Sequence, residues 1–223
     1  MKQMSKEVRN AVILLVLFVL LIIGIKTIDV QAIGPEGTKI GFATLNNAVH
    51  QLFGVHEGLY ELTDVLGKIA LLTAAGFACL GLYQLITRKN LRKVDMDLYV
   101  LGCGYAAVIL LYVFFEICVI NYRPVILDEG LEASFPSSHT MVVLFIMITA
   151  VPQFRKRLKN RNVMIAVNCA CLVIAAVTVI GRLVCGVHWF TDIVGGLLLG
   201  SAMILLHNAA QKYIADLQHS ASK

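Results

Sequence analysis

The sequence predicts an all-α membrane protein, a bundle of six transmembrane helices in a single domain. Three observations predict it. Charged residues make up 15% of the 223 and hydrophobic ones 58%, whereas a soluble domain carries about 25% charged residues. The apolar residues are gathered in continuous blocks, not spread as amphipathic stripes. The Lys and Arg residues between the blocks fall mainly on one side.

In chain order the blocks are "AVILLVLFVLLIIGI" (11–25), "IALLTAAGFACLGLYQLI" (69–86) and "LYVLGCGYAAVILLYVFFEICVI" (98–120). Then come "MVVLFIMITAV" (141–151), "VMIAVNCACLVIAAVTVI" (163–180) and "IVGGLLLGSAMILLHNAA" (193–210). A helix needs roughly 20 apolar residues to cross a bilayer. The short fourth block reaches that length if "SSHT" and "PQF" extend it. The first block, with its basic start and "VQA" at 30–32, also has the shape of a cleavable secretory signal. Its length and Leu/Ile/Val content favour a retained helix, and the topology of the rest is the same either way.

Orientation follows from the basic residues. The N-terminal tail, the second-to-third link, the fourth-to-fifth link, Lys212 and Lys223 together hold 14 of the 19. That side is read as cytoplasmic, with both termini on it. The net charge of +5 is thereby a topology signal, and no nucleic-acid partner is inferred. Five of the six cysteines lie within predicted helices, where Cys behaves as a small hydrophobe. No CxxC or Cys/His metal spacing occurs.

The longest link, from Ile28 to Thr63, lies on the outer side. It opens with the turn "GPEG" and continues with apolar and polar residues at loosely helical spacing, which predicts a short surface helix. His50, His56, Glu57, Glu61 and Asp64 are residue types that bind metals. Isolated His residues in such a link are more often solvated or capping, so no metal or cofactor is expected. Trp189 and Tyr122 read as interfacial anchors, with a substrate platform as the alternative, and Gly195, Gly196 and Gly200 as small-residue helix packing.

Two further outer loops carry chemistry-bearing residues. Arg123, Ser137, Ser138, His139, Arg182, His188 and Asp192 all fall within a few residues of that face. Ionisable groups at membrane depth are costly and usually functional. His188 and Asp192 are four apart and share one face of a helical turn. An Asp that accepts the Nδ1 hydrogen leaves Nε2 with a free lone pair. His139 follows "PSS" at a helix start, whose unpaired N–H groups suit an anion. Arg123 and Arg182 supply planar forks for phosphate oxygens. Residue chemistry alone thus describes a phosphate site with a nucleophile on one side and an acid on the other.

Arg123-Pro124, then Pro136-Ser137-Ser138-His139, then Gly181-Arg182 through His188 to Asp192 resemble the ordered signature of the type 2 phosphatidic acid phosphatase superfamily, membrane branch. Motif identity covers residues of about 116–192, and the six-helix layout extends the likeness over most of the chain. The resemblance implies a phosphatidic acid phosphatase/haloperoxidase-like fold and a metal-independent phosphatase. It implies that His188 attacks phosphorus, oriented by Asp192, to give a phosphohistidine. His139 then protonates the leaving alkoxide and later helps to activate water. Arg123, Arg182, Ser137 and backbone N–H groups near Ser138 bind the phosphate.

The chain departs from that signature at three positions. Ser138 replaces the usual Gly and Gly181 the usual Ser. Glu116 stands where the family has a Lys, seven residues before Arg123. Nearly two helical turns should bring Glu116 to the same face as Arg123, about 10 Å deeper. A carboxylate there must be paired or neutral, and pairing with Arg123 or Arg182 is the expectation. A contact to substrate and a weakened activity are the alternatives.

The expected function is hydrolysis of a lipid phosphomonoester or diphosphate at the outer face of a bacterial plasma membrane. Its partners are the lipid phosphate and the surrounding lipids. The alternatives are a phosphotransferase that uses the same phosphohistidine, and a non-catalytic lipid-phosphate binder or transporter.

Overall fold

The computed structural model describes residues 5–127 and 130–221, so Lys2, Asp128, Glu129 and Lys223 lie outside the described residues. Seven α-helices run through the described chain: α1 (Lys6–Thr27), α2 (Ala43–Phe53), α3 (Glu57–Arg88), α4 (Met96–Ile117), α5 (Ser138–Arg157), α6 (Arg161–Val184) and α7 (Phe190–Ala221). All but α2 are long and apolar enough to cross a membrane. The chain is an integral membrane protein.

Three of these helices begin with a side-chain cap. Ser5 accepts from Val8 N, Ser137 from Thr140 N, and Asn160 from Asn162 N and Val163 N. Such caps occupy backbone donors that lack an intrahelical partner. The most buried span is α5, with Val143, Phe145, Ile146, Met147 and Ala150 all inside. It packs against α3, α4, α6 and α7, while α1 lies along α7. Large apolar side chains also point outward, among them Leu72 on α3, Leu110 and Ile117 on α4, and Ile180 on α6. Outward apolar faces of this extent suit hydrocarbon, not water.

Three helix limits differ most from the sequence reading. α7 runs on to Ala221, eleven residues past the last apolar block. α4 stops at Ile117, so Ile120 is already outside it. More consequentially, α3 starts at Glu57, three turns before the apolar block at 69. The polar residues Tyr60, Thr63 and Asp64 read as link because a charged stretch leaves hydrocarbon. They instead belong to a helix that packs on α5 and α6. The expected helix in the long link is α2. Its Asn46 is buried, donating to Gly41 O at 2.8 Å and to Thr191 Oγ1 at 3.1 Å, and Asn46 Oδ1 accepts from Thr191 N at 3.1 Å. These bonds fix α2 to the first turn of α7.

The two ends of the bundle differ in chemistry. One end holds an ionic network: Asp97 with Lys156 and Arg157, Asp95 with Arg88 and Gln84, and Lys212 with Glu7. At the other end α4 and α6 finish and α3, α5 and α7 begin. There the motif residues meet.

Candidate active site

The close approach of α7 to the start of α5 builds the floor of the site. A Cβ on Gly196 would lie 2.9 Å from Ser137 O and from Thr140 Cβ, so no larger residue lets the helices come so near. Ser137 caps α5, is fully buried and donates its N–H to Asp192 O at 3.0 Å. Ser138 and His139 then occupy the first turn of α5, where backbone donors are unpaired.

Arg182, in the last turn of α6, is wholly buried. Its guanidinium carbon sits 4.7 Å above the centre of the Tyr60 ring, a cation–π contact. Its Nε, Nη1 and Nη2 have no hydrogen-bond partner among the described residues. Arg123 Nε lies 3.0 Å from Glu132 Oε2, but the two are not aligned as a hydrogen bond, and Arg123 Nη1 has no partner either. A buried guanidinium with unmet donors is expensive unless an anion joins it. Both forks therefore suit an oxyanion.

His188 lies in the short loop between α6 and α7, and its Nε2 is buried without a partner. Burial, together with the charges of Arg123 and Arg182, holds its imidazole well below the usual range. The ring is thus neutral and its free nitrogen carries a lone pair. The orienting bond differs from the expected one. Asp192 Oδ2 is 3.8 Å from His188 Nδ1, too far for a hydrogen bond. Ser134 Oγ stands between, 2.9 Å from Nδ1 and 2.5 Å from Oδ2. Asp192 can only accept as a carboxylate, so the Ser134 proton points to it and Ser134 Oγ accepts the Nδ1 hydrogen. The four-residue spacing put the two side chains on one face without bringing them into direct contact.

The carboxylate of Asp192 also accepts from Trp189 N at 2.9 Å and from Asn121 Nδ2 at 3.4 Å. Asn121 O in turn accepts from Ser134 N at 2.9 Å. Ser134 and Asn121 escaped the sequence reading because neither stands at a motif position. Their signal was weak: single small polar residues in loops of mixed composition.

Trp189 is not an exposed anchor. It is buried, and its Nε1 donates to Tyr122 O at 2.9 Å, which joins the loop after α4 to the loop before α7. His50 of α2 packs on its ring with centroids 5.6 Å apart. His56 N donates to Cys185 O at 3.0 Å, and the His56 ring contacts Phe53 O at 2.7 Å. The acid-rich link therefore supports the site loop from outside. Among the described residues no group of three or more His, Cys, Asp or Glu is arranged to hold a metal ion.

Glu116 is exposed at the end of α4 and has no hydrogen bond or ion pair among the described residues. The carboxylate against Arg123 belongs to Glu132, and the group beneath Arg182 is the Tyr60 ring. The expected pairing of Glu116 with an Arg is absent. Because α4 ends at Ile117, the chain between the two residues is no longer helical, and the charge of Arg123 acts on Glu116 without an ion pair. Glu116 instead lines the mouth of a narrow cavity with Tyr112, Phe135, Pro136, Ser138 and His188.

Comparison with known proteins agrees with this geometry. The chain aligns over 92% of its length with the crystal structure of a transmembrane PAP2-type phosphatidylglycerolphosphate phosphatase from Bacillus subtilis, covering 97% of that chain at 21% identity with a TM-score of 0.65. At that identity the likeness establishes the fold. No curated protein matches. The profile of the PAP2 superfamily matches residues 69–215, from the fourth turn of α3 well into α7 and across every motif residue described above. With about two thirds of its length and α4 to α6 wholly inside that match, the chain belongs to the PAP2 superfamily.

Proposed function

We propose that the protein is a membrane lipid phosphatase that hydrolyses a lipid phosphomonoester or diphosphate through a phosphohistidine on His188. The observation that carries this reading is the pairing of opposites in one buried space. The Arg182 guanidinium has no hydrogen-bond partner, and the neutral His188 beside it presents an unpartnered Nε2. Phosphate supplies both the charge that Arg182 lacks and the electrophile that His188 can attack.

In the first step His188 Nε2 forms a bond to phosphorus and the P–O bond to the lipid breaks, its electron pair leaving on oxygen. His139 protonates that oxygen. The charge that develops on His188 is carried through Nδ1–H to Ser134 and on to Asp192. Water then attacks the phosphohistidine, gives its proton to His139 and releases phosphate. Arg123, Arg182 and the first turn of α5 supply the charge neutralisation that other phosphatases draw from a metal. The narrow cavity beside His188 is lined by Tyr112, Phe115 and Glu116 of α4, whose outer face is apolar, which supports a substrate whose chains stay in the bilayer. The basic residues gathered at the opposite end support an outer-face site.

The test is phosphate release in detergent and EDTA from phosphatidic acid, phosphatidylglycerol phosphate and a polyprenyl diphosphate. Turnover of at least one should persist in EDTA and fall by about 10⁴-fold or more in His188→Ala. Turnover that requires Mg²⁺, or that survives His188→Ala, overturns the reading.

A further inference from the structure

The extra turns of α3 form a wall of the site that no PAP2 motif includes. Tyr60, Thr63, Asp64 and Gly67 recur at helical spacing, and all precede the matched residues 69–215. Tyr60 lies under Arg182. Asp64 Oδ1 is 3.5 Å from His139 Nε2, while Asp64 Oδ2 pairs with Lys68 at 2.8 Å. A Cβ on Gly67 would come within 2.9 Å of His139 Cδ2 and 3.1 Å of Nε2. Two independent contacts thus put the same edge of the imidazole, Cδ2–Nε2, against α3. The opposite nitrogen, Nδ1, is turned away from that wall.

We propose that Asp64 is the positioning residue of His139: it accepts the Nε2 hydrogen, so that the proton on Nδ1 is the one delivered to the leaving oxygen. This rests on the phosphatase reading. In the protonated ring both nitrogens carry hydrogen. Asp64 holds the one on Nε2, and the lipid alkoxide takes the one on Nδ1 as its bond to phosphorus breaks. The ring is left neutral with its Nε2–H still on Asp64. The 3.5 Å separation shortens to a hydrogen bond when substrate seats, as loose contacts do in unloaded sites.

Asp64 also answers an electrostatic problem. The groups that act on His139 from the surrounding elements are Arg182 at the end of α6, Arg123 in the loop after α4, and His188 before α7. Arg123 already has Glu132. Asp64 is the carboxylate that faces His139, and Lys68 holds it from the solvent side. Gly67 completes the arrangement by admitting the ring to the helix surface.

The experiment compares two substrates in wild type, Asp64→Asn, Asp64→Glu and Gly67→Ala. One is a lipid phosphate with an alkyl leaving group, the other an activated aryl phosphate such as 4-nitrophenyl phosphate. Losing a positioned general acid, a group that contributes about 10²–10⁴-fold, matters only where the leaving oxygen needs a proton. Asp64→Asn should therefore lower kcat on the lipid by about 10-fold or more, with the aryl rate and the inhibition constant for inorganic phosphate close to wild type. Asp64→Glu should recover part of the lipid rate, and Gly67→Ala, which displaces the ring, should show the same leaving-group-selective loss. Equal losses on both substrates, a weakened phosphate inhibition, or no loss at all overturn the assignment while leaving the phosphatase reading intact. A wild type that releases phosphate from neither substrate overturns that reading, and this inference with it.

Discussion

Ser134 has one proton and two neighbours that want different things from it. Asp192 needs a donor and His188 Nδ1–H needs an acceptor, and one hydroxyl meets both demands at 2.5 and 2.9 Å. Ser134→Ala leaves the buried His188 Nδ1–H unpaired and takes one of two donors from Asp192 Oδ2, which keeps Trp189 N, at a cost of about 1–3 kcal/mol. It should lower kcat by about 10- to 100-fold, since about 1.4 kcal/mol is a factor of ten, with little change in KM. Steady-state kinetics on one lipid phosphate decides it. A KM effect with kcat unchanged shows that Ser134 serves binding, not the tautomer of His188. The sequence put His188 and Asp192 on one face through their spacing, because side-chain periodicity is local. The serine between them comes from a segment more than fifty residues earlier, and no periodicity reports a contact across that distance. Glu116 shows the converse case: it reaches the cavity beside His188 but forms no ion pair with Arg123. Its spacing from Arg123 has meaning only on a continuous helix, and the helix stops one residue after it.

Among the elements, four of the six spans were legible nearly to their ends because hydrocarbon selects unbroken apolar composition, while α7 runs eleven residues past its apolar block. The start of α3 was not, because its first turns lie where protein replaces lipid as the packing surface and polar residues are allowed. α2 was legible as a helix, but not as a brace. It reaches the site through Asn46, whose amide makes three hydrogen bonds, two of them to Thr191, next to Asp192. Asn46→Ala removes all three from a fully buried position. It should destabilise the protein by about 1–3 kcal/mol, seen as a lower Tm in detergent, and reduce kcat because the first turn of α7 loosens. Loss of stability with kcat unchanged shows that α2 braces the fold without setting the site.

For the molecule as a whole, stability and the proposed catalysis meet in the buried imidazole of His188. Its folded-state pKa lies well below the ordinary value of about 6.5, first through burial and then through Arg123 and Arg182. The unfolded chain therefore binds a proton that the folded chain refuses as pH drops through that value. Stability contributed by the neutral ring is complete above pH of about 6.5 and is lost below it, by at most about 1.4 kcal/mol per pH unit. Tm in detergent should fall on acidification from pH of about 6.5, and His188→Asn should flatten the fall. A slope unchanged by His188→Asn assigns the acid sensitivity to other groups. The ionic network at the opposite end of the bundle is remote from that titration. The indole that joins the two site loops has a separate consequence. Trp189 is the sole tryptophan in the sequence, and it adjoins His188 with its N–H on Tyr122 O and its ring against His50. The tryptophan emission of the protein is therefore a single-site spectroscopic signal, and the loops that flank His188 carry their own optical label.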